Sequence, residues 1–279
     1  MENYSVLMSV YQKENPEYLK AAIDSMINQT VKPSEIVIVE DGPLTDELYS
    51  VLKGYQSEYG ELIKRVPLAE NHGLGYALNE GIKECGNELI ARMDTDDISL
   101  PERCEKQLKE FEADGTLCAV SAYIDEFEGS PENVTSTRTV PLTREEMYKY
   151  GKRRSPFNHP VVMYKKGAVL SVGGYPDLKR CQDFMLFGKM MFSGMNCKNI
   201  GESLLLFRIP ENAEAKSKRK KSAKSAVGVV KEFHKWGYSS LWDYMVVKTV
   251  YFLVGLIPIK LRKKFFKRFL RKRKKNKVL

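Results

Sequence analysis

Through its first hundred residues the chain alternates short, continuously apolar runs with amphipathic segments. Val6-Leu7-Met8-Ser9-Val10-Tyr11 reads as a buried strand. In residues 16–29, Leu19, Ala22, Ile23, Met26 and Ile27 share one face at helical spacing. Ile36-Val37-Ile38-Val39 is a second buried strand and stops at Glu40-Asp41-Gly42-Pro43. Residues 46–59 predict a helix, 62–67 a strand, 75–85 a helix, and 88–93 a strand that ends at Asp94-Thr95-Asp96-Asp97. Strands without polar alternation, separated by helices, mean a mostly parallel sheet covered on both faces, an α/β fold.

The second half is less regular. Helices are expected at 101–113, 166–172 and 183–192, and strands at 117–123, 160–164 and 204–209. Residues 126–138 are polar and read as a loop or exposed hairpin.

Charge divides the chain more sharply than periodicity does. The 279 residues carry 45 Lys+Arg and 36 Asp+Glu, a net of +9. Residues 214–279 hold 21 Lys/Arg and three acids (Glu214, Glu232, Asp243), a local net of +18, which leaves −9 for residues 1–213. An acidic body with a basic tail argues against a nucleic-acid groove across the body. Two units are expected, a catalytic domain over 1–213 and a helical tail over 214–279. Five scattered cysteines form no C-x-x-C or Cys/His cluster, so neither a zinc site nor a disulfide framework is expected. The N-terminus Met1-Glu2-Asn3-Tyr4 has no basic n-region and no long apolar run, so no signal peptide is read and the body is expected in the cytoplasm.

In an open parallel sheet, ligands sit beyond the carboxyl ends of the strands. Here those ends carry Tyr11, Glu40-Asp41-Gly42 and Asp94-Thr95-Asp96-Asp97. Carboxylates converging at that rim can hold a divalent cation, which in turn can bridge phosphates. Each piece alone has a plain reading: Asp-x-Asp is most often a capped turn, and Asp-Gly-Pro is a turn signal. Gly73-Leu74-Gly75 lacks the third glycine of a dinucleotide fingerprint and follows the third strand, and no P-loop or nucleophile elbow occurs. Asp183, at the start of a predicted helix, is suited to take a proton from an incoming hydroxyl, or else simply caps that helix. His159, in Asn158-His159-Pro160, is a possible metal or pyrophosphate contact, though a loop histidine is as often a plain hydrogen-bonding residue.

Taken in order, Ser5–Tyr11, 22–29 into 36–42, 71–81, Ile-Ala-Arg-Met-Asp-Thr-Asp-Asp (90–97) with the Pro101-Glu102-Arg103 that follows, 158–163 and 173–187 resemble a family 2 glycosyltransferase of the GT-A fold. This is the type that builds bacterial capsules, exopolysaccharides and O-antigens. The resemblance implies an inverting, Mn²⁺- or Mg²⁺-dependent transfer of sugar from a nucleotide-diphosphate sugar, a UDP-sugar first, to a hydroxyl of a lipid-linked glycan. It implies that Val10 and Tyr11 line the base pocket and that Asp41 accepts from the uracil ring N–H. Asn71, Gly73 and Gly75 would lie near the donor, and Arg92 near its phosphates or sugar. Asp94 would lean to the ribose or donor sugar and Asp96 to the metal, with Asp97 extending the cluster. Asp183 matches the base, and Gln182 stands where the family often has a second acid. Two other classes stay open: a sugar-phosphate nucleotidyltransferase, although residues 12–16 lack its glycine-rich loop, and a non-catalytic nucleotide-binding adaptor.

In the tail, Trp236 opens an apolar, aromatic stretch running to residue 259, and its longest uncharged part, 249–259, is too short to span a bilayer. Residues 260–279 hold 12 Lys/Arg and no acid, with Leu261, Phe265 and Phe269 at i, i+4, i+8. A basic helix with an apolar stripe predicts attachment to the anionic inner face of the cell membrane in preference to nucleic acid.

Overall fold

A computed structural model describes residues 2–209 and 214–256. The expected alternation is present: β1 (Tyr4–Val10), α1 (Pro16–Ile27), β2 (Glu35–Glu40), α2 (Asp46–Tyr59), β3 (Ile63–Pro67), α3 (Leu74–Glu84) and β4 (Leu89–Arg92). Then follow β5 (Ile98–Ser99), α4 (Arg103–Ala113), β6 (Leu117–Phe127), β7 (Val134–Arg138), α5 (Arg144–Gly151), β8 (Met163–Lys165), α6 (Lys166–Ser171), α7 (Gln182–Phe192), β9 (Asn196–Arg208), α8 (Glu214–Lys235) and α9 (Leu241–Leu256). One sheet runs β3-β2-β1-β4-β8-β6-β9-β5, with β7 paired to β6. β1 is parallel to β2 and β4, β2 to β3, and β6 to β9, while β8 joins the two parallel groups antiparallel to β4 and β6.

β1, β2 and β4 are buried on both faces, which is why they lack polar alternation. From β1, Tyr4, Val6, Met8 and Val10 face α1, α2 and α4, where Leu19, Ile23, Leu48 and Leu108 complete one core. Leu7 faces the other core, built from α3 (Leu78, Ile82), α7 (Leu186, Phe187) and the helices behind it. Side-chain caps fix the entries: Asn15 Oδ1 accepts from Glu17 N at 2.8 Å for α1, and Thr45 caps α2.

Several features of the second half differ from the sequence reading. The strand expected at 204–209 starts at Asn196, because its first half alternates buried Cys197 and Asn199 with exposed Lys198 and so has no apolar run. Residues 126–138 agree with that reading and form the hairpin of β6 and β7. α5 is unexpected; its signal was the capping box of Thr143 and Glu146, but its eight residues bury only Met147 and Gly151. All five cysteines are free thiols, and among the described residues no helix is long and apolar enough to cross a membrane.

Packing continues across the charge boundary at residue 213. Val229, Val230, Phe233, Tyr238 and Val247 lie in the same core as α7. Phe233 is fully buried, ringed by Phe184, Trp236 and Tyr238, and seated over Gly188 of α7. A Cβ on Gly188 would overlap the Phe233 ring, which is fully buried among other aromatic rings. Gly188→Ala is therefore expected to cost about 1–3 kcal/mol and lower Tm by several degrees. An unchanged melting curve would contradict this packing. The amphipathic stripe expected at 260–279 lies outside the described residues.

Candidate active site

β4 sits between β1 and β8 with all four residues buried, and it delivers Met93–Asp97 to the carboxyl edge of the sheet. Carboxylate oxygens of Asp94, Asp96 and Asp97 all lie within 4.8 Å of one another. Burial, then the charge of Asp94, pushes the Asp96 carboxyl up to about 6, and burial with both neighbouring acids drives Asp97 well above the usual range. Asp97 Oδ1 accepts from Arg208 N at 2.9 Å, whereas its Oδ2 is buried with no partner. Three crowded carboxylates, one with an unpaired buried oxygen, form an all-oxygen donor set suited to Mg²⁺ or Mn²⁺.

Arg92, the last residue of β4, is 1% exposed and ion-paired with Asp94. Its Nε and Nη1 are buried without a hydrogen-bond partner. Unmade buried N–H bonds cost roughly 1–3 kcal/mol each, so the two donors are poised for an anion. The backbone beneath is held tightly: Arg92 N donates to Val162 O at 2.9 Å, and Arg103 Nη2 donates to Arg92 O at 2.6 Å. Arg103 is itself fully buried and also reaches Val162 O and Gln107 Oε1. Sequence reasoning gave it no role; the available signal was an arginine on the apolar face of α4.

A second group lies at the ends of β1 and β2. Val10 is buried and Tyr11 half-buried, and Asp41 N donates to Val10 O at 2.8 Å. The Asp41 carboxylate organises the loop that opens α3. Oδ2 accepts from Asn71 Nδ2 and Gly73 N, both at 3.0 Å, and Oδ1 accepts from His72 N at 2.9 Å. A carboxylate accepts about four hydrogen bonds, so one position is left. Gly42 permits this contact, since at φ +82° a Cβ there would lie 2.6 Å from Asn71 N.

Asp183 is the second residue of α7. The turn before it is made by Cys181 at φ 61°, which is the only non-glycine residue at positive φ among the described residues. Burial raises the Asp183 carboxyl, the Phe184 N–H and the Arg92 charge oppose that rise, and Asp94 adds to it. Asp183 thus lies within electrostatic reach of both Arg92 and Asp94. The mouths of α3 and α7 touch, because a Cβ on Gly75 would lie 3.2 Å from Pro176 O and 3.5 Å from the Gln182 side chain. His159 stands apart from the carboxylate group: its Nε2 meets Tyr175 Oη at 2.8 Å. Burial and then Arg92 hold its pKa well below the usual range, so it is neutral. Asn79 fixes Tyr175 from both sides, Nδ2 donating to Tyr175 O and Oδ1 accepting from Tyr175 N, each at 2.8 Å.

Arg208, at the end of β9, was also not anticipated. Besides its backbone bond to Asp97, its Nε donates to Asp96 O at 2.9 Å, and its guanidinium carbon lies 3.8 Å from the Tyr18 ring centroid. It ties the acidic loop to a strand more than a hundred residues distant in sequence.

Residues 5–175 match the family described as Glycosyl transferase family 2. The chain belongs to that family. A UDP-Gal:alpha-D-GlcNAc-diphosphoundecaprenol beta-1,3-galactosyltransferase of Escherichia coli is 34% identical over 272 residues, covering 96% of this chain and 97% of that protein. The amylovoran biosynthesis glycosyltransferase AmsE of Erwinia amylovora is 32% identical over 261 residues, covering 92% and 95%. Among solved structures, the mannosyltransferase PcManGT from Pyrobaculum calidifontis in complex with GDP-Man and Mn²⁺ superposes with a TM-score of 0.63 at 15% identity, covering 95% of this chain and 78% of that one. S. aureus TarS residues 1–349 give the same TM-score, 0.63, over 95% and 78%. These superpositions carry the fold, which is the GT-A type expected. Family 2 membership makes the protein a glycosyltransferase, and the expected resemblance is borne out over the body of the chain.

Proposed function

We propose that the protein moves a sugar from a UDP-sugar to a hydroxyl of a lipid-linked glycan, with inversion at the anomeric carbon, during surface polysaccharide assembly at the inner face of the cell membrane. The observation that carries the reading is Arg92. Its two unpaired buried donors sit on a guanidinium that is ion-paired with Asp94 of the carboxylate group and whose charge also acts on Asp183. An anionic leaving group flanked by a cation site and a base is the arrangement that glycosyl transfer requires. The E. coli relative, named for a UDP-Gal donor and a diphosphoundecaprenol-linked acceptor, supports the donor and acceptor classes.

In this reading Val10 and Tyr11 pack against the base, and the free acceptor position on Asp41 takes the uracil ring N–H. Asn71 and Gly73, already fixed by Asp41, border the donor. Arg92 Nε and Nη1 bind the diphosphate, Asp94 turns to the ribose or donor sugar, and Asp94 and Asp96, with Asp97, hold Mn²⁺ or Mg²⁺. A divalent cation there supplies positive charge against the phosphates. His159 keeps Tyr175 in place beside Arg92. Asp183 removes the proton of the acceptor hydroxyl while that oxygen bonds to the anomeric carbon. The bond from that carbon to the phosphate oxygen breaks, its electron pair leaving with the diphosphate. One displacement with one base inverts the centre. The basic residues 260–279 bring the enzyme to the anionic membrane that carries its acceptor.

Thermal-shift measurements across nucleotide sugars test the donor class. UDP-sugars with Mn²⁺ are expected to raise Tm, since binding stabilises the folded state. Stabilisation by GDP-sugars alone would contradict the UDP reading.

A further inference from the structure

α9 has two unlike faces. Inward, Val247 and Asp243 are buried, Tyr244 and Tyr251 pack against the core, and Asp243 receives Arg153 Nε at 2.6 Å while capping the helix at Ser240. Outward, Leu241 (60% exposed), Trp242 (71%), Met245 (45%), Phe252 (65%) and Leu253 (51%) stand in solvent. At 100° per residue these five fall within an arc of about 120° that contains no charged residue. Lys248 borders the arc. Thr249 is the one exposed polar residue within the arc, and an apolar face of this extent marks an interaction surface.

Charge selects the occupant. The stripe is bordered by a cation, and the chain runs on into residues 260–279 with 12 Lys/Arg and no acid. Two copies paired through this face would each carry such a segment, and net like charge opposes their association. An anionic lipid surface attracts them. α9 has 16 residues, about 24 Å of helix, and its inner face is bonded to the body, so it can lie in a bilayer surface but not cross it. Tryptophan at one end of the stripe suits the headgroup boundary.

We infer that the outer face of α9 inserts into the interfacial layer of an anionic membrane and lies parallel to its plane, seating the catalytic body on the lipid. The inference deepens the membrane reading given above by naming the inserting face, and rests on it. Because α8 packs against both α7 and α9, and Ser222 Oγ and O lie 3.4 Å from Arg180 Nη1 and 3.6 Å from Cys181 Sγ, the seat is joined to the turn that presents Asp183.

The test uses the full chain with vesicles of phosphatidylcholine alone or containing phosphatidylglycerol, comparing wild type with Trp242→Glu/Phe252→Glu. Both positions are exposed, so Tm and nucleotide-sugar binding should stay at wild-type values. Wild type is expected to bind the anionic vesicles, with tryptophan emission quenched by brominated lipid, and the double variant to bind at least tenfold more weakly. Equal binding by both proteins would overturn the insertion of α9 while leaving attachment by residues 260–279 standing. Failure of wild type to bind would remove both. Wild-type binding without quenching, or a wild-type dimer in lipid-free buffer that the variant loses, would give the face to another occupant.

Discussion

Asp183→Asn is expected to lower turnover by about 10²–10⁴-fold while changing the donor KM little. That is the contribution of a positioned general base, and Asp183 is assigned to the acceptor hydroxyl and not to the donor. The substitution is close to isosteric and lies at the second residue of α7. A capping role alone predicts a small loss of stability and near-normal turnover, so kinetics separate the two roles. The pH profile gives a second readout. Burial raises the Asp183 carboxyl, and the ionised form is the active base. In wild type, kcat/KM should therefore fall on acidification at a pH above the ordinary carboxylate value of about 3.9. The variant should lack that limb. Turnover within a few-fold of wild type would remove Asp183 as the base.

Asp96→Asn is expected to have an effect of similar size on metal-dependent donor binding, with opposite consequences for stability. The folded carboxyl sits at about 6, raised by burial and by Asp94, against about 3.9 in an unfolded chain. Between those values the unfolded state holds fewer protons than the folded one, so metal-free stability falls as pH rises from about 4 to 6 and stays lower above it. Replacing the charge removes that cost, and the metal-free variant should melt higher than wild type at pH 7 by roughly a few degrees. Adding Mn²⁺ should raise the wild-type Tm and leave the variant nearly unmoved. A variant that melts lower in the absence of metal, or that still gains from Mn²⁺ as wild type does, would contradict a crowded carboxylate site built for a cation.

Much of this arrangement is legible along the chain, for reasons that particular residues make plain. β1, β2 and β4 are buried on both faces, so Val6–Met8, Ile36–Val39 and Leu89–Ala91 print as uninterrupted apolar runs. Asp41, Asp94 and Asp96 are visible because a strand end in a parallel sheet is already a site address. The rest depends on distant neighbours. Arg103 and Arg208 look like ordinary basic residues until folding brings one under Arg92 O and the other against Asp96 and Asp97. Asp41 was readable as a site residue, but its grip on Asn71, His72 and Gly73 spans thirty residues and exists only in three dimensions. The basic composition of residues 214–279 suggested a separate tail and concealed Phe233, whose seat on Gly188 depends on a missing side chain in another helix. Periodicity likewise marked the apolar length of α9 without telling its packed face from its bare one.

UDP production from UDP-sugars, measured with the full chain and a polyprenyl-diphosphate-linked sugar as acceptor, tests the central claim most directly. The account predicts UDP release that requires both Mn²⁺ or Mg²⁺ and the acceptor, stops with EDTA, and falls at least a hundredfold in Asp183→Asn. Release that persists in EDTA, or that Asp183→Asn sustains at the wild-type rate, would contradict it.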